Sequence, residues 1–354
     1  MTDPSRTSPV TLHDVARAAG VSLATASRTL NGSTRNVKES NRQLVLAAAE
    51  RLGYTANTSA QAVARGTTTT VALLVGDIAD PYFSSIAAGV VDAAASNGLI
   101  VTMAQTSRDT AREVELVRAM RGQRARAIIL AASRRTPDPH TEALHAELAA
   151  YEAAGGRAVF ITATDAPFRA VPLDNRGGAH QLGTRLHGHG YRGAAILAGP
   201  GTDPENVAAG SAGLRTSGDR LEGFAAAYAE AGSPIAPERI VPAAFTRDGG
   251  YEGMRELAER GLDGIDLVFA VNDVMAVGAM SAMRDLGLEP GVDLGVAGFD
   301  DIPTLRDVTP RLTSVRLPLE DVGARALALA LADGDSDAEL VGTEVIVRES
   351  TPER

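Results

Sequence analysis

The start of the chain shows helical periodicity. Apolar side chains between Thr11 and Ala19 recur at positions i, i+3, i+4 and i+7, which predicts one helix. Thr11 is followed three residues later by Asp14, a pair suited to a capping box at the start of that helix. Gly20 predicts the helix end, where a left-handed backbone conformation is needed. Ser22 is then expected to cap a second helix.

The second predicted helix has two chemically different faces. Ala26 and Leu30 point inward. The other face carries four side chains: Leu23, Ala24, Ser27 and Arg28. A third helix is predicted from an inner stripe of Leu44, Val45, Ala48 and Leu52. Two short helices joined by a glycine turn and backed by a third predict an all-α helix-turn-helix unit.

After residue 68 the pattern changes to short apolar runs separated by helical stretches. The runs are 71–75, 99–103, 127–130, 158–162, 194–198, 240–245, 267–271 and 295–299. Such runs predict parallel strands that are covered on both faces. Their number favours two doubly wound α/β lobes over one, and residues 312–316 and 345–348 are expected to cross back between these lobes.

Charge separates the same two parts of the chain. Residues 1–66 carry eight basic and four acidic side chains, a net charge of +4, so the remainder carries −14 within a total of −10. A basic head on an acidic body is typical of a DNA-binding module joined to a domain that stays off DNA. The absence of cysteine excludes disulfides, thiolate zinc sites and cysteine nucleophiles.

The sequence argues against a membrane protein, a secreted protein, a dinucleotide-binding protein and a metalloenzyme. No stretch approaches the roughly 18 apolar residues of a membrane span, and residues 1–9 lack the apolar core of a signal peptide, so we expect a cytoplasmic protein without a membrane partner. Residues 188–193 fit GxGxxG but precede a strand, which excludes a dinucleotide loop. His187 and His189 lack a third ligand, and Asp300 and Asp301 lack a nucleophile and base. No metal, cofactor or enzymatic activity is predicted.

The outer face of the second helix can bind DNA. Arg28 can read guanine O6 and N7, while Leu23 and Ala24 can make apolar contacts such as those with a thymine methyl group. Phosphate oxygens suit the short polar side chains, which are Thr11, Ser22, Thr25, Ser27 and Asn31. The alternative is an ordinary three-helix bundle with a solvated arginine.

This segment resembles the headpiece signature of the lactose-repressor (LacI/GalR) family of transcriptional regulators. The resemblance lies in residues 10–22, 25–31 and 47–54 and in Asn57. It implies that Leu23, Ala24 and Arg28 occupy base-reading positions. It also implies that Tyr54 and Asn57 join the phosphate contacts.

The family has a hinge helix that folds on the operator and inserts a leucine into the minor groove. The resemblance places this hinge at residues 57–65, with Asn57 as its N-cap and Val63 at the wedge position. Valine is one methylene shorter than leucine, which removes about 0.8 kcal/mol of apolar contact from the wedge. Ala56 replaces the usual proline. We therefore expect weaker hinge folding or a more easily deformed operator.

The resemblance continues into the family's sensor domain. It lies in residues 80–83, 174–178, 220–224, 270–278, 296–301 and 310–315 and implies a periplasmic-binding-protein-like fold. The expected domains are a headpiece (1–55), a hinge (56–68), an N-terminal lobe (69–189 and 317–344) and a C-terminal lobe (190–316 and 345–354). The Gly-rich stretch 200–218 is longer than the usual loop. It is expected to be a surface insertion, and a place beside the cleft is the alternative.

Two polar residues follow strands of the predicted sensor domain directly. Asn272 and Asp300 should face one cleft, because ligands of open α/β sheets bind beyond the carboxyl ends of the strands. Arg220, expected to begin a helix, can reach the same cleft. These three side chains suit a polyhydroxylated ligand, although helix capping or a salt bridge is an alternative for each. The chain has no tryptophan, so ring stacking is left to Tyr82, Phe83 or Tyr251.

Together with these features, the resemblance implies a homodimeric transcriptional repressor that binds a pseudo-palindromic operator under the control of a small-molecule effector. Sugars are the commonest effectors in the family, and a nucleoside or purine is the alternative. A solute-binding transport protein shares the two-lobed fold. The helix-turn-helix head argues against that class.

Overall fold

The computed structural model describes residues 10–30, 37–55, 68–131, 138–162, 167–205, 213–334 and 339–354, and the backbone of 135–136. It divides into two units, Met1–Thr68 and Thr69–Arg354. We call the first unit the headpiece and the second the sensor domain. Each is described by itself below.

In its described residues the headpiece contains three helices, α1 (Leu12–Ala19), α2 (Leu23–Leu30) and α3 (Glu39–Leu52). Its core is formed by small and β-branched side chains, namely Val15, Ala16, Ala19, Ala26, Val45, Ala48 and Ala49. The prediction for Leu44 was wrong, because this side chain is 53% exposed. Ala49 takes the inward position, since 45, 48, 49 and 52 form one helical stripe and 44 lies beside it.

The first lobe of the sensor domain is built on a parallel sheet with the strand order β2-β1-β3-β5-β6. These strands are β1 (Thr70–Val75), β2 (Ile100–Gln105), β3 (Ala127–Ala131), β5 (Ala158–Ile161) and β6 (Arg169–Val171). Helices α4 (Pro81–Ser96) and α11 (Leu319–Leu331) cover one face, and α5 (Thr110–Gly122) and α6 (Thr141–Ala153) cover the other. Burial on both faces explains why the strands read as continuous apolar runs.

The second lobe has a parallel sheet with the strand order β11-β10-β7-β9. Its strands are β7 (Ala194–Ala198), β9 (Ile240–Pro242), β10 (Leu267–Ala270) and β11 (Gly295–Ala297). Its helices are α7 (Asn175–Gly188), α8 (Arg215–Glu230), α9 (Arg247–Arg260) and α10 (Asp273–Asp285). All eight predicted runs overlap strands, so the prediction of two doubly wound lobes is confirmed.

In the described part of the sensor domain, three segments cross between the lobes. Strands β12 (Ser314–Arg316) and β13 (Glu344–Ile346) pair antiparallel, as the predicted late crossings require. The third crossing precedes α7, where Leu173 bridges to Val341. Helix α7 packs against α8, so the chain enters the second lobe earlier than the expected boundary at residue 189.

Glycines allow the close packing of α7 on α8. A Cβ at Gly223 would collide with the Arg176 carbonyl oxygen, and one at Gly183 would meet the Ala227 side chain at 2.8 Å.

A further two-stranded pair joins β4 (Arg135–Thr136), after the first lobe's β3, to β8 (Gly213–Leu214), before the second lobe's α8. Among the described residues, none of the helices has the length and apolar character needed to cross a membrane.

Candidate functional site

The turn between α1 and α2 sets the direction of the second helix. Thr11 and Asp14 form the predicted capping box, in which the Asp14 N–H donates to Thr11 Oγ1 at 3.3 Å and the Thr11 N–H donates to Asp14 Oδ2 at 3.0 Å. Gly20 ends α1 in the left-handed conformation, at φ 65°. Ser22 Oγ accepts from the Thr25 backbone N–H at 3.1 Å, which caps the first turn of α2.

Helix α2 buries Ala26 and presents its opposite face outward. Leu23 is 41% exposed, and Ala24 and Arg28 are also exposed. Within the described residues Arg28 makes no ion pair, so its guanidinium is available. Three side chains of different chemistry therefore lie on one accessible helix face.

The other predicted DNA contacts have different surroundings. Thr11 and Ser22 are exposed but engaged in capping, and Ser22 Oγ and Thr25 Oγ1 are 2.8 Å apart, so one of the two protons stays free. Ser27 and Tyr54 are half-buried, and Tyr54 packs against the headpiece core. Asn31, Asn57 and Val63 lie outside the described residues.

A cavity with about 520 Å³ of empty volume lies between the two lobes of the sensor domain. We call it the inner pocket. All five predicted effector contacts line it: Tyr82, Phe83, Arg220, Asn272 and Asp300. Its other polar and aromatic lining side chains are Asp80, Arg108, Thr216, Ser217 and Phe245. Side chains from both lobes thus face one volume, whereas Tyr251 does not line it and instead bonds Asp285 at 2.9 Å.

Arg220 is the central polar group of the inner pocket. It lies in the second turn of α8 and not at the helix start as predicted, and only 4% of its surface is exposed. Its guanidinium donates to Asp300 Oδ1 at 2.7 Å, to Asn175 Oδ1 at 2.9 Å and to the Val271 carbonyl at 2.8 Å. The Arg220 Cζ also lies 4.0 Å from the centroid of the Phe299 ring. These contacts hold the arginine fork rigidly at the cavity wall.

The two residues that follow strands are positioned by the backbone. Asn272 Oδ1 accepts from the Met275 N–H at 3.0 Å and caps α10, which leaves its amide nitrogen uncommitted to that cap. Asp300 has φ 116°, a conformation that is strained for a residue with a side chain. Gly298 makes room for this turn, because a Cβ there would collide with the Asp273 carboxylate.

Burial dominates the electrostatics of the pocket carboxylates. It raises the pKa of Asp300 to about 7, against the lowering effect of Arg220. Burial and the neighbouring Asp300 also raise the pKa of Asp273, which accepts from Ser314 Oγ at 2.7 Å and the Ile302 N–H at 2.9 Å. Desolvation likewise raises the pKa of Asp80. A ligand that donates hydrogen bonds to such carboxylates compensates for lost water.

Sequence reasoning missed two prominent lining residues, Arg108 and Phe245. Arg108 contacts Asp80 at 3.3 Å and lies 5.8 Å and 5.3 Å from the ring centroids of Phe83 and Phe245. Arg108 follows β2 closely, so the strand-end rule that found Asn272 applies to it too. Phe245 was placed in a strand, but β9 ends at Pro242 and Phe245 lies in the loop beyond it.

The end of the Gly-rich stretch also belongs to the inner pocket. Of the two interpretations of 200–218, the last residues of the stretch fit the place beside the cleft and not a surface insertion, because Leu214, Thr216 and Ser217 line the cavity. Helix α8 already begins at Arg215. Residues 206–212 lie outside the described part of the chain. In the part that the structure describes, no group of three or more His, Cys, Asp or Glu side chains is placed to hold a metal ion.

Comparison with known proteins gives one family match in the headpiece and another in the sensor domain. Residues 11–57 match the family model described as bacterial regulatory proteins, lacI family, and residues 184–351 match the periplasmic binding protein-like domain. The HTH-type transcriptional regulator GalR of Escherichia coli is 33% identical over 327 residues, which cover 91% of this chain and 89% of that protein. Among solved structures, the transcriptional regulator CelR–cellobiose complex is 30% identical, with a TM-score of 0.68 over 96% of this chain and 99% of that one. The lac repressor dimer bound to operator is 24% identical and shares the fold, with a TM-score of 0.80 over 98% of this chain and 100% of that one.

Proposed function

Because the chain belongs to the LacI family of bacterial regulatory proteins, we propose that it is a dimeric transcriptional repressor whose operator binding is controlled by a sugar. The family assignment confirms the resemblance seen in the sequence. The proposal joins two sites, the outer face of α2 for DNA and the inner pocket for the effector.

The chemistry of α2 supports sequence-specific DNA binding. Arg28 can form a bidentate pair with guanine, while Leu23 and Ala24 offer apolar contacts to thymine methyl groups. The caps formed by Thr11 and Ser22 fix the helix ends, whose backbone N–H groups are suited to phosphate oxygens. We include Thr25, Ser27 and Tyr54 among the proposed backbone contacts. Asn31, Asn57 and Val63 complete the set by resemblance.

The observation that carries the effector proposal is the buried Arg220–Asp300 pair, which faces Asn272 in a cavity between two lobes. Guanidinium, carboxylate and amide groups together supply the donors and acceptors that a polyol needs. Phe83, Tyr82 and Phe245 add the aromatic surface on which the C–H face of a sugar ring packs. A sugar that contacts both lobes favours one lobe arrangement, and this differential affinity can shift the DNA-binding state. In relatives, cellobiose is bound by CelR in its solved complex.

The proposed function can be tested with the full-length protein and the DNA upstream of its own gene and neighbouring genes. We expect footprinting to protect a pseudo-palindrome there, and a sugar identified by thermal shift to weaken that protection. Arg28→Ala should lower operator affinity by about 1–3 kcal/mol and relax the preference at one base pair. Sugar binding by this variant should stay unchanged.

Arg42→Ala is a matched control, because Arg42 is an exposed arginine on α3 of the same headpiece. It tests whether loss of any positive charge produces the same effect. Equal protection of scrambled and palindromic DNA by the wild type would contradict a sequence-specific repressor. A thermal shift with a nucleoside or purine and with none of the sugars would reject the sugar as effector.

A further inference from the structure

A second cavity adjoins the inner pocket. It has about 650 Å³ of empty volume, and we call it the outer cavity. The two cavities share Asp80 and Phe245 as lining residues. An occupant of the inner pocket can therefore extend past these two side chains into the outer cavity.

The outer cavity is also formed by both lobes. Asp77 and Pro81 line it from the first lobe, and residues 245–248 line it from the second. The second-lobe wall is the start of α9, where Thr246 Oγ1 caps the helix by accepting from the Gly249 N–H at 2.9 Å. Its backbone is fixed by α10, because Gly278 lets that helix approach the Arg247 carbonyl closely. The wall is thus a rigid platform.

The polar groups of the two walls differ in their availability. On the first lobe, Arg108 ties up both carboxylates, with Asp80 at 3.3 Å and Asp77 at 3.8 Å. On the second lobe, Arg247 and Asp248 are exposed, and among the described residues their side chains make no hydrogen bond or ion pair. A guanidinium and a carboxylate are therefore free to bind a ligand next to a half-buried aromatic ring.

We propose that the effector is a glycan of at least two sugar units, with one unit in the inner pocket and the next in the outer cavity against Arg247 and Asp248. This inference rests on the proposed function, since it names the class of sugar. Each cavity repeats the same chemistry, an arginine and a carboxylate for hydroxyl groups beside the ring of Phe245.

Calorimetry on the full-length protein with matched sugars tests the proposal. The pairs are D-glucose with cellobiose, D-glucose with maltose, and D-galactose with lactose. We expect the disaccharide of one pair to bind at least tenfold more tightly than its monosaccharide. Asp248→Ala should lower affinity for that disaccharide about fivefold, because hydroxyl contacts to a charged group are lost. Affinity for the monosaccharide should stay within twofold.

Asp263→Ala provides the matched control, since Asp263 is an exposed aspartate of the same lobe that does not line either cavity. It should leave both affinities unchanged. If a monosaccharide binds as tightly as every disaccharide, or if Asp248→Ala leaves the disaccharide affinity unaltered, the outer cavity is not a sugar site, while the proposed repressor function stands. If no sugar binds and a nucleoside does, the sugar effector and the glycan proposal both fail.

Discussion

Two effects in the inner pocket change the pKa of Asp300 in opposite directions. Burial raises its pKa to about 7, while the Arg220 guanidinium at 2.7 Å favours the ionised carboxylate. Near neutral pH the effector-free protein therefore holds both forms of this group. A sugar hydroxyl donates a stronger hydrogen bond to the ionised carboxylate than to the protonated one, so a bound sugar should lower the pKa of Asp300. Effector binding then releases protons.

We expect effector affinity to rise with pH between about 6 and 8 and to level off above that range. Below a pKa of about 7 the rise can reach tenfold per pH unit, because the protonated form must first ionise. The stability of the effector-free protein changes with pH in the opposite direction. A raised pKa means that Asp300 stabilises the fold most below pH 3.8, and this contribution is lost as pH rises towards 7. Calorimetry at several pH values, in two buffers of different ionisation enthalpy, measures both affinity and proton release.

Asp300→Asn serves as the control for that titration. It keeps the shape and a hydrogen-bond acceptor for Arg220 but cannot ionise. We expect at least tenfold weaker effector binding by this variant, with a flat pH profile. A wild-type affinity that falls with rising pH would show that the protonated carboxyl is the form that binds.

Single-residue expectations depended on a simple rule about strand ends. The rule placed Asn272 and Asp300 at one cleft because parallel strands present their carboxyl ends at one edge. It did not reveal that Asn272 caps α10 or that Asp300 pairs with Arg220. Helix capping by Asn272 and a salt bridge by Asp300, the two alternatives to a ligand contact, are therefore both present in the structure. Both residues nevertheless line the inner pocket. Burial and a φ of 116° depend on tertiary packing, which periodicity does not report.

At the scale of elements, the loop after β11 connects the inner pocket to the lobe crossings. Asp301 follows Asp300 directly, and its carboxylate is bonded by Arg316 of β12 at 2.8 Å and by Arg348, just after β13, at 2.5 Å. The Asp301 N–H also donates to Ser314 Oγ at 3.1 Å. The wall of the inner pocket at Asp300 is therefore connected to both crossing segments through one neighbouring residue.

We expect Asp301→Ala to lower the free energy of unfolding of the sensor domain by about 3 kcal/mol. The change removes the only carboxylate partner that the described residues give to the largely buried guanidinium of Arg348, which keeps its hydrogen bond to the Leu312 carbonyl, and the loss of charge compensation is costly. Chemical denaturation followed by circular dichroism measures the loss.

Arg311→Ala is the comparison for this element. Arg311 pairs with Glu349 close to the same crossing, but both side chains are well exposed, so its removal should leave stability nearly unchanged. Similar losses in the two variants would mean that burial of the Asp301 pair does not decide its contribution.

Elements were predicted best where their apolar pattern was long. The strands of both sheets followed from continuous apolar runs, whereas β6 escaped prediction because Arg169, Ala170 and Val171 form too short a run. Strands β4 and β8 are two residues each, and only their pairing with each other defines them. Helix α3 was predicted, but its inward face was rotated by one residue, since Leu44 is more apolar than Ala49.

At the scale of the whole molecule, the headpiece and the remainder of the chain have net charges of opposite sign. Residues 1–66 carry +4 and the remainder −14, so phosphate contacts are expected from the headpiece alone. One short α2 reads few base pairs, and a single small module rarely binds tightly and specifically. Two headpieces linked in a dimer make the second binding event intramolecular, which raises affinity without any new type of contact.

We therefore expect operator affinity to depend on two half-sites in the correct phase. Scrambling one half-site should weaken binding at least about a hundredfold, because the effective concentration of the second headpiece is then lost. Inserting about 5 bp between intact half-sites should weaken it comparably, since half a helical turn moves the second site to the opposite face of the DNA. Fluorescence anisotropy at fixed salt measures these affinities, and a 10 bp insertion restores the phase and separates it from spacing alone. Sedimentation equilibrium of the free protein gives the oligomeric state independently. A half-site bound as tightly as the full palindrome would mean that each headpiece acts alone, and the dimer would then contribute nothing to operator recognition.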